Sequence, residues 1–199
     1  MDELDSYYLR KLAKIYEKNM CNERLSRSDI RLLYEIDENI YLDAGMGWKI
    51  KEPLIREIQT KRNVKKDLAR IFHCRKKNIA TNMYEITEED IYVYYGDLVW
   101  EDISLPDSFK NIEVITGNVY FEDVLDSNEL ANIKLIVGNL YANNLCNVEG
   151  LSNITINGNV YFNNLISLYG LNNLNVKGSI FINNEKFLID EQGFGRVRK

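Results

Sequence analysis

"GNVYFNNL" (158–165) is preceded by "GNLYANNL" (138–145) and "GNVYFEDV" (117–124). Aligned on glycine, the phrase recurs at Gly96, Gly117, Gly138, Gly158 and Gly178, with spacings of 21, 21, 20 and 20 residues. Self-similarity at this period marks stacked repeats, in which each unit buries its apolar face only against its neighbours. Inside the phrase the pattern alternates. Leu98, Val119, Leu140, Val160 and Ile180 stand two residues after glycine, and Trp100, Phe121, Ala142, Phe162 and Ile182 stand four after. Ile115, Ile136, Ile156 and Val176 stand two before. Period two predicts strands with these rows on one side.

The segments between phrases have another rhythm. Leu145, Val148, Leu151 and Ile154, then Leu165, Leu168, Leu171 and Leu174, fall every third residue. That spacing suits a short 3₁₀ return with one side chain inward per turn. The glycine predicts a bend or a close backbone approach. The pairs Asn143–Asn144, Asn163–Asn164 and Asn183–Asn184 predict turns leaving the strand, with stacked side chains bonding repeat to repeat. "LSNITINGNVYFNNLISLYGL" (151–171) and "LNNLNVKGSIFINN" (171–184) resemble leucine-rich repeats, in particular the receptor L-domain variety. Over residues 91–184 the resemblance implies a small five-coil β-solenoid that serves for binding. The first two coils depart from it, being acidic and irregular.

Upstream the periodicity turns helical. In "DSYYLRKLAKIYEKNM" (5–20), Leu9, Leu12, Tyr16 and Met20 share a face. Ser26 with Asp29 reads as a capping box, placing Ile30, Leu33 and Tyr34 inward. Pro53 reads as a first helical position and Asn63 as a cap for a helix burying Val64, Leu68 and Phe72. "KKNIA" (76–80) through "MYEI" (83–86) reads as extended. "RLLYEID" (31–37) and "KRNVKKDLARIFHC" (61–74) resemble segments of uncharacterised bacterial and phage-type proteins that carry such repeats. The expected class is α+β: a helical region over 1–86 capping the open end of a leucine-rich-repeat-like solenoid over 87–185, then a tail or cap over 186–199.

Composition narrows the functions. No apolar run is long enough to span a membrane, and "MDELDSYY" (1–8) lacks the plan of a signal peptide. Cys21, Cys74 and Cys146, odd in number and far apart, suit reduced thiols in the cytoplasm rather than disulfides or zinc. Asn, Ile, Lys and Tyr are abundant, as in proteins from AT-rich bacterial or phage genomes. Net charge is −5 but unevenly spread. Residues 49–77 hold eleven basic and three acidic side chains, whereas 78–199 hold seven basic and seventeen acidic.

Few residues suggest chemistry. His73 is the only histidine, and its neighbour Cys74 is splayed from it in helix or strand alike. "GFG" (193–195) lies in a polar stretch and is no dinucleotide fingerprint. Glu101, Asp102, Glu122 and Asp123 would stack one coil apart, about 4.8 Å, and call for a cation, a basic partner or solvent. No cofactor or metal is expected.

The stronger signal is Tyr120, Tyr141, Tyr161 and Phe181, three residues after glycine and outward by alternation, with Val99 at their head. Thr116, Val137, Asn157 and Lys177 would flank this stripe on one side and Glu122, Asn143 and Asn163 on the other. It reads as a partner surface, as a self-stabilising aromatic ladder, or as a face buried under the amino-terminal helices. The basic block offers Lys61, Arg62, Lys65, Lys66, Arg70, Arg75, Lys76 and Lys77 to nucleic acid or an acidic partner, or to the acidic repeats of the chain itself. Trp48, just before the block, and Phe72 within it are the only aromatics placed for base stacking. The resulting expectation is a non-enzymatic module binding a protein through the stripe. Small size, compositional bias and sparse chemistry suit a phage or mobile-element inhibitor of a host machine such as a CRISPR effector. The alternative is a nucleic-acid-associated regulator acting through 49–77.

Overall fold

The computed structural model describes residues 3–37, 46–87, 90–102, 105, 107–190 and 193–196. The chain is α+β and divides into two compact units, Met1–Lys76 and Lys77–Lys199.

The first unit contains α1 (Glu3–Met20), α2 (Arg27–Leu33), α3 (Met46–Thr60) and α4 (Val64–Phe72). α2 opens with the capping box: Ser26 Oγ accepts from the Asp29 N–H, and the Asp29 carboxylate accepts from the Ser26 N–H. Asn63 caps α4 by accepting from the Lys66 N–H at 2.8 Å. Leu12, Ile15, Ile30, Leu33, Tyr34, Ile58, Leu68 and Ile71 are buried.

Three helical readings need correction. On α1 the inward face is Leu12 and Ile15, while Met20 is half exposed, because Met20 is the last helical residue. On α4, Ile71 is buried, and Val64 and Phe72 are only partly so. Pro53 lies inside α3, not at its start. The helix tolerates the missing N–H on an exposed side, at a cost of about 3 kcal/mol in a typical helix interior.

The second unit is built from short strands. They are β1 (Ile79–Ala80), β2 (Val93–Tyr94), β3 (Leu98–Trp100), β4 (Val114–Ile115), β5 (Val119–Phe121), β6 (Leu135–Ile136), β7 (Leu140–Tyr141), β8 (Thr155–Ile156), β9 (Val160–Phe162), β10 (Asn175–Val176), β11 (Ile180–Ile182), β12 (Glu185–Asp190) and β13 (Gly193–Arg196). They form two sheets, ordered β1-β2-β4-β6-β8-β10 and β13-β12-β11-β9-β7-β5-β3. From β1 to β10 and from β3 to β11 every pairing is parallel. Leu98 pairs with Val119, Val119 with Leu140, Leu140 with Val160 and Val160 with Ile180, so register advances by one repeat per strand.

One core runs through this unit. Leu98, Val119, Phe121, Leu140, Ala142, Val160 and Phe162 are fully buried. So are Ile115, Ile136 and Ile156, on the other sheet. 3₁₀ turns at Asp107–Asn111, Ser127–Leu130, Glu149–Leu151 and Leu171–Asn173 lie in the returns. Leu145, Val148, Leu151 and Ile154 face the core. Leu168 does not, being 53% exposed. The fifth phrase runs into β12 instead of another return, so no further return stacks on this one.

Glycine acts through close approach. A Cβ on Gly138 would lie 2.5 Å from the Gly117 carbonyl carbon, and one on Gly117 2.3 Å from that of Gly96. The Gly138 N–H donates to Gly117 O at 3.1 Å, and the Gly158 N–H to Gly138 O at 3.1 Å.

Two further differences, and one refinement, appear at the unit's ends. Ile79–Ala80 pairs with Val93–Tyr94, so the repeat unit takes in residues assigned above to the helical half. Met83–Thr87 forms a 3₁₀ helix, not an extended stretch. In the stretch expected as a tail or cap, the described residues belong to β12 and β13, antiparallel strands beyond β11, and "GFG" lies in β13. Asn183 and Asn184, at φ 52° and 64°, form the two-residue turn between β11 and β12. Two successive left-handed residues are what such a hairpin turn requires, and Asn adopts that region readily.

Candidate functional site

The stripe follows from the register. Val99 pairs with Tyr120, Tyr120 with Tyr141, Tyr141 with Tyr161 and Tyr161 with Phe181. Their neighbours along the strands are core residues, so alternation turns the rings outward, each partly exposed. Ring centroids are 4.7 Å apart for Tyr120–Tyr141, 4.6 Å for Tyr141–Tyr161 and 4.8 Å for Tyr161–Phe181. Interplanar angles are 2°, 4° and 7°. That separation is the spacing of paired strands, so the backbone imposes the stack. Val99, 47% exposed, heads it, and Lys186 pairs with Phe181 at the other end. Burial pushes the Tyr141 hydroxyl's pKa up, and Tyr161 and Tyr120 add to the shift.

Asparagines bond two of the rings, a role not anticipated above. The residue after each glycine forms a ladder. Asp97 accepts from the Asn118 N–H, Asn118 from Asn139, Asn139 from Asn159 and Asn159 from Ser179, at 2.7–2.9 Å. The amide nitrogens of Asn139 and Asn159 also donate to the hydroxyls of Tyr141 and Tyr161 at 3.4 Å. The recurring "GN" was the available signal. The expected ladder at the strand exit is also present: Asn163 donates to Asn143 at 2.9 Å and Asn164 to Asn144 at 2.6 Å.

Beyond that exit lies an apolar column that sequence reasoning missed. The Cys146 N–H donates to Leu125 O and the Ile166 N–H to Cys146 O, so these three residues stack. Leu125 is 47% exposed and Ile166 83%, with Leu168 and Tyr169 exposed beside Ile166. Of the expected flanking positions, Val137 and Asn157 are buried instead of outward. They directly precede the tight glycine stack, and the bend between the two sheets interrupts alternation there.

The basic block is largely engaged within its own units. Lys51, 7% exposed, pairs with Glu35 at 2.7 Å. Lys61 pairs with Glu57, Arg62 grips Asp67, Arg70 donates to Leu25 O, and Lys77 pairs with Asp90. Lys65 and Arg75 are also engaged. Lys66 and Lys76 are exposed. Trp48 and Lys49 lie outside the residues whose side chains are described.

His73 is exposed in the left-handed C-cap of α4 at φ 53°. Burial pushes the neighbouring Cys74 thiol up, away from thiolate. Glu101, Asp102, Glu122 and Asp123 are exposed, and Asp123 accepts from Asn144. Among the described residues no three acidic, cysteine or histidine side chains gather as a metal site. Nor is any helix among them long and apolar enough to cross a membrane. The chain matches no protein-family model, no curated protein and no solved structure.

Proposed function

We propose that this chain is a non-enzymatic binding module that engages a protein partner through the ring stack Tyr120–Tyr141–Tyr161–Phe181. The carrying observation is that four half-buried rings lie in register on an outward sheet face, with Tyr141 and Tyr161 braced by asparagines. Large rings held in one conformation offer contact area at little entropic cost, as interface aromatics do. Along the fourth phrase Tyr161 is followed by Asn163 and exposed Ile166, so the surface continues past the asparagine ladder.

In this reading the two sheets are opposite walls of a five-coil leucine-rich-repeat-like solenoid, preceded in the chain by the helical unit. The parallel pairing at one repeat per strand supports it. Three free cysteines suit the cytoplasm. An inhibitor of a host defence machine, carried by a phage or mobile element, is the biological role that fits a small binder of this composition.

The test is affinity capture from the native host with wild type and with the Tyr141→Ala, Tyr161→Ala double variant, folding being checked by circular dichroism. A specific partner should be captured by wild type and lost by the folded variant. Equal capture by both would reduce the stack to a self-stabilising ladder.

A further inference from the structure

The helical unit carries a cleft of about 490 Å³, within the size range of small-ligand sites. It forms where the α1–α2 connection, Asn22–Leu25, meets the α3–α4 connection, Lys61–Asn63, and the start of α4. Five cations line it, Arg24, Lys61, Arg62, Lys66 and Arg70, against two carboxylates, Glu23 and Asp67.

The wall is built, and its charges are not all spent. Arg62 forks onto Asp67, Nε to Oδ2 at 2.6 Å and Nη2 to Oδ1 at 2.8 Å, leaving that pair neutral. Its Nη1 donates to Asn19 at 3.2 Å. Arg70 donates through Nη1 to the Leu25 carbonyl at 2.7 Å, which fixes its head without neutralising it. Lys61 shares its charge with Glu57, outside the cleft, at 3.2 Å. Among the described residues, Arg24, Lys66 and Arg70 have no carboxylate at ion-pair distance. Glu23 is the single opposing charge in the lining beyond Asp67. The α4 dipole adds positive potential at the same place.

We propose that this cleft binds the phosphate of a small phosphorylated ligand of nucleotide size. The guanidiniums of Arg24 and Arg70 and the Lys66 ammonium, not neutralised by a carboxylate, supply the charge and donors that a phosphate takes. A compact recess in a chain of net charge −5 favours one localised phosphate over a polyanion tracking across the surface. The proposal is independent of the ring stack.

Calorimetric titration of the full chain at low salt tests it, with three probes: inorganic phosphate, ADP, and an oligothymidylate without terminal phosphates. ADP or inorganic phosphate should bind saturably. Arg24→Gln and Lys66→Gln, both at exposed side chains, should each weaken that binding about tenfold. Lys14→Gln, an exposed cation outside the lining, should leave it unchanged. Binding of the oligothymidylate alone would assign the cleft to nucleic acid and overturn the proposal. So would absence of saturable ADP and phosphate binding at millimolar concentration, or binding indifferent to Arg24 and Lys66.

Discussion

Glycine at one position and asparagine at the next do most of the fine work in the repeats. Gly96 and Gly138 are needed for different reasons, and substitution separates them. At Gly138 a methyl would press on the Gly117 backbone at 2.5 Å, and backbone cannot swing away as a side-chain tip can. Gly138→Ala should destabilise the chain by about 3–5 kcal/mol in chemical denaturation, or prevent folding. Gly96 has nothing within 4 Å of its would-be Cβ, but its φ is +107°. Gly96→Ala should therefore incur only backbone strain, about 1–3 kcal/mol. Equal losses at the two positions would contradict the close-approach account. The repetition of glycine is plain in the sequence. Its cause is not, because a strand bend and a backbone contact demand the same residue.

At the scale of the element, the aromatic column is one object, and Tyr141 lies within it with its pKa raised. Burial holds the Tyr141 phenol neutral above the pH at which a free tyrosine ionises. The folded value is the higher one, so the stabilisation is complete below the unfolded value of about 10 and is lost as pH rises through the folded value. Burial also raises Tyr94 and Tyr95, so wild type alone cannot isolate the effect. Comparing Tyr141→Phe with wild type does so: the variant should lose less thermal stability between neutral and strongly alkaline pH. A matching loss would show that Tyr141 ionises as it does in the unfolded chain. The outward direction of this column was legible, since alternation from the buried Val119 and Phe121 dictates it. Alternation failed at Val137 and Asn157, where the chain turns between sheets. Helix patterns were legible where a cap announced them, as at Ser26 and Asn63. At α3 the helix was read but its start was misplaced, because the proline taken for its first residue lies inside it.

For the whole molecule, pairing sets a gradient of stability. β6 and β7 have hydrogen-bonded neighbours on both sides, whereas β1, β10 and β3 are sheet edges. Stacked repeats open from their ends, so protection should be highest in the middle. Hydrogen exchange should find the amides of Val137, Leu140 and Ala142 slower than those of Tyr95 and Leu98 by about tenfold or more. Uniform protection across Lys77–Lys199 would instead mark an all-or-none unit. Charge behaves differently at this scale from its appearance in the sequence. The block over 49–77 looks like an open cationic strip, yet Lys51, Arg62 and Arg70 are drawn into their own helical unit.

The sequence by itself determined the repeat length, the strand faces, the outward rings and two helix caps. Each of these depends on near neighbours along the chain or on a period of twenty or twenty-one residues. Tertiary structure alone decided that Asn139 braces Tyr141 while linking to Asn159, that Leu168 turns outward, and that Arg24 shares a cleft with Lys66 and Arg70. These facts depend on which repeat follows which and which loops meet. Separate segments of chain become neighbours only on folding, and no local pattern of residues records that.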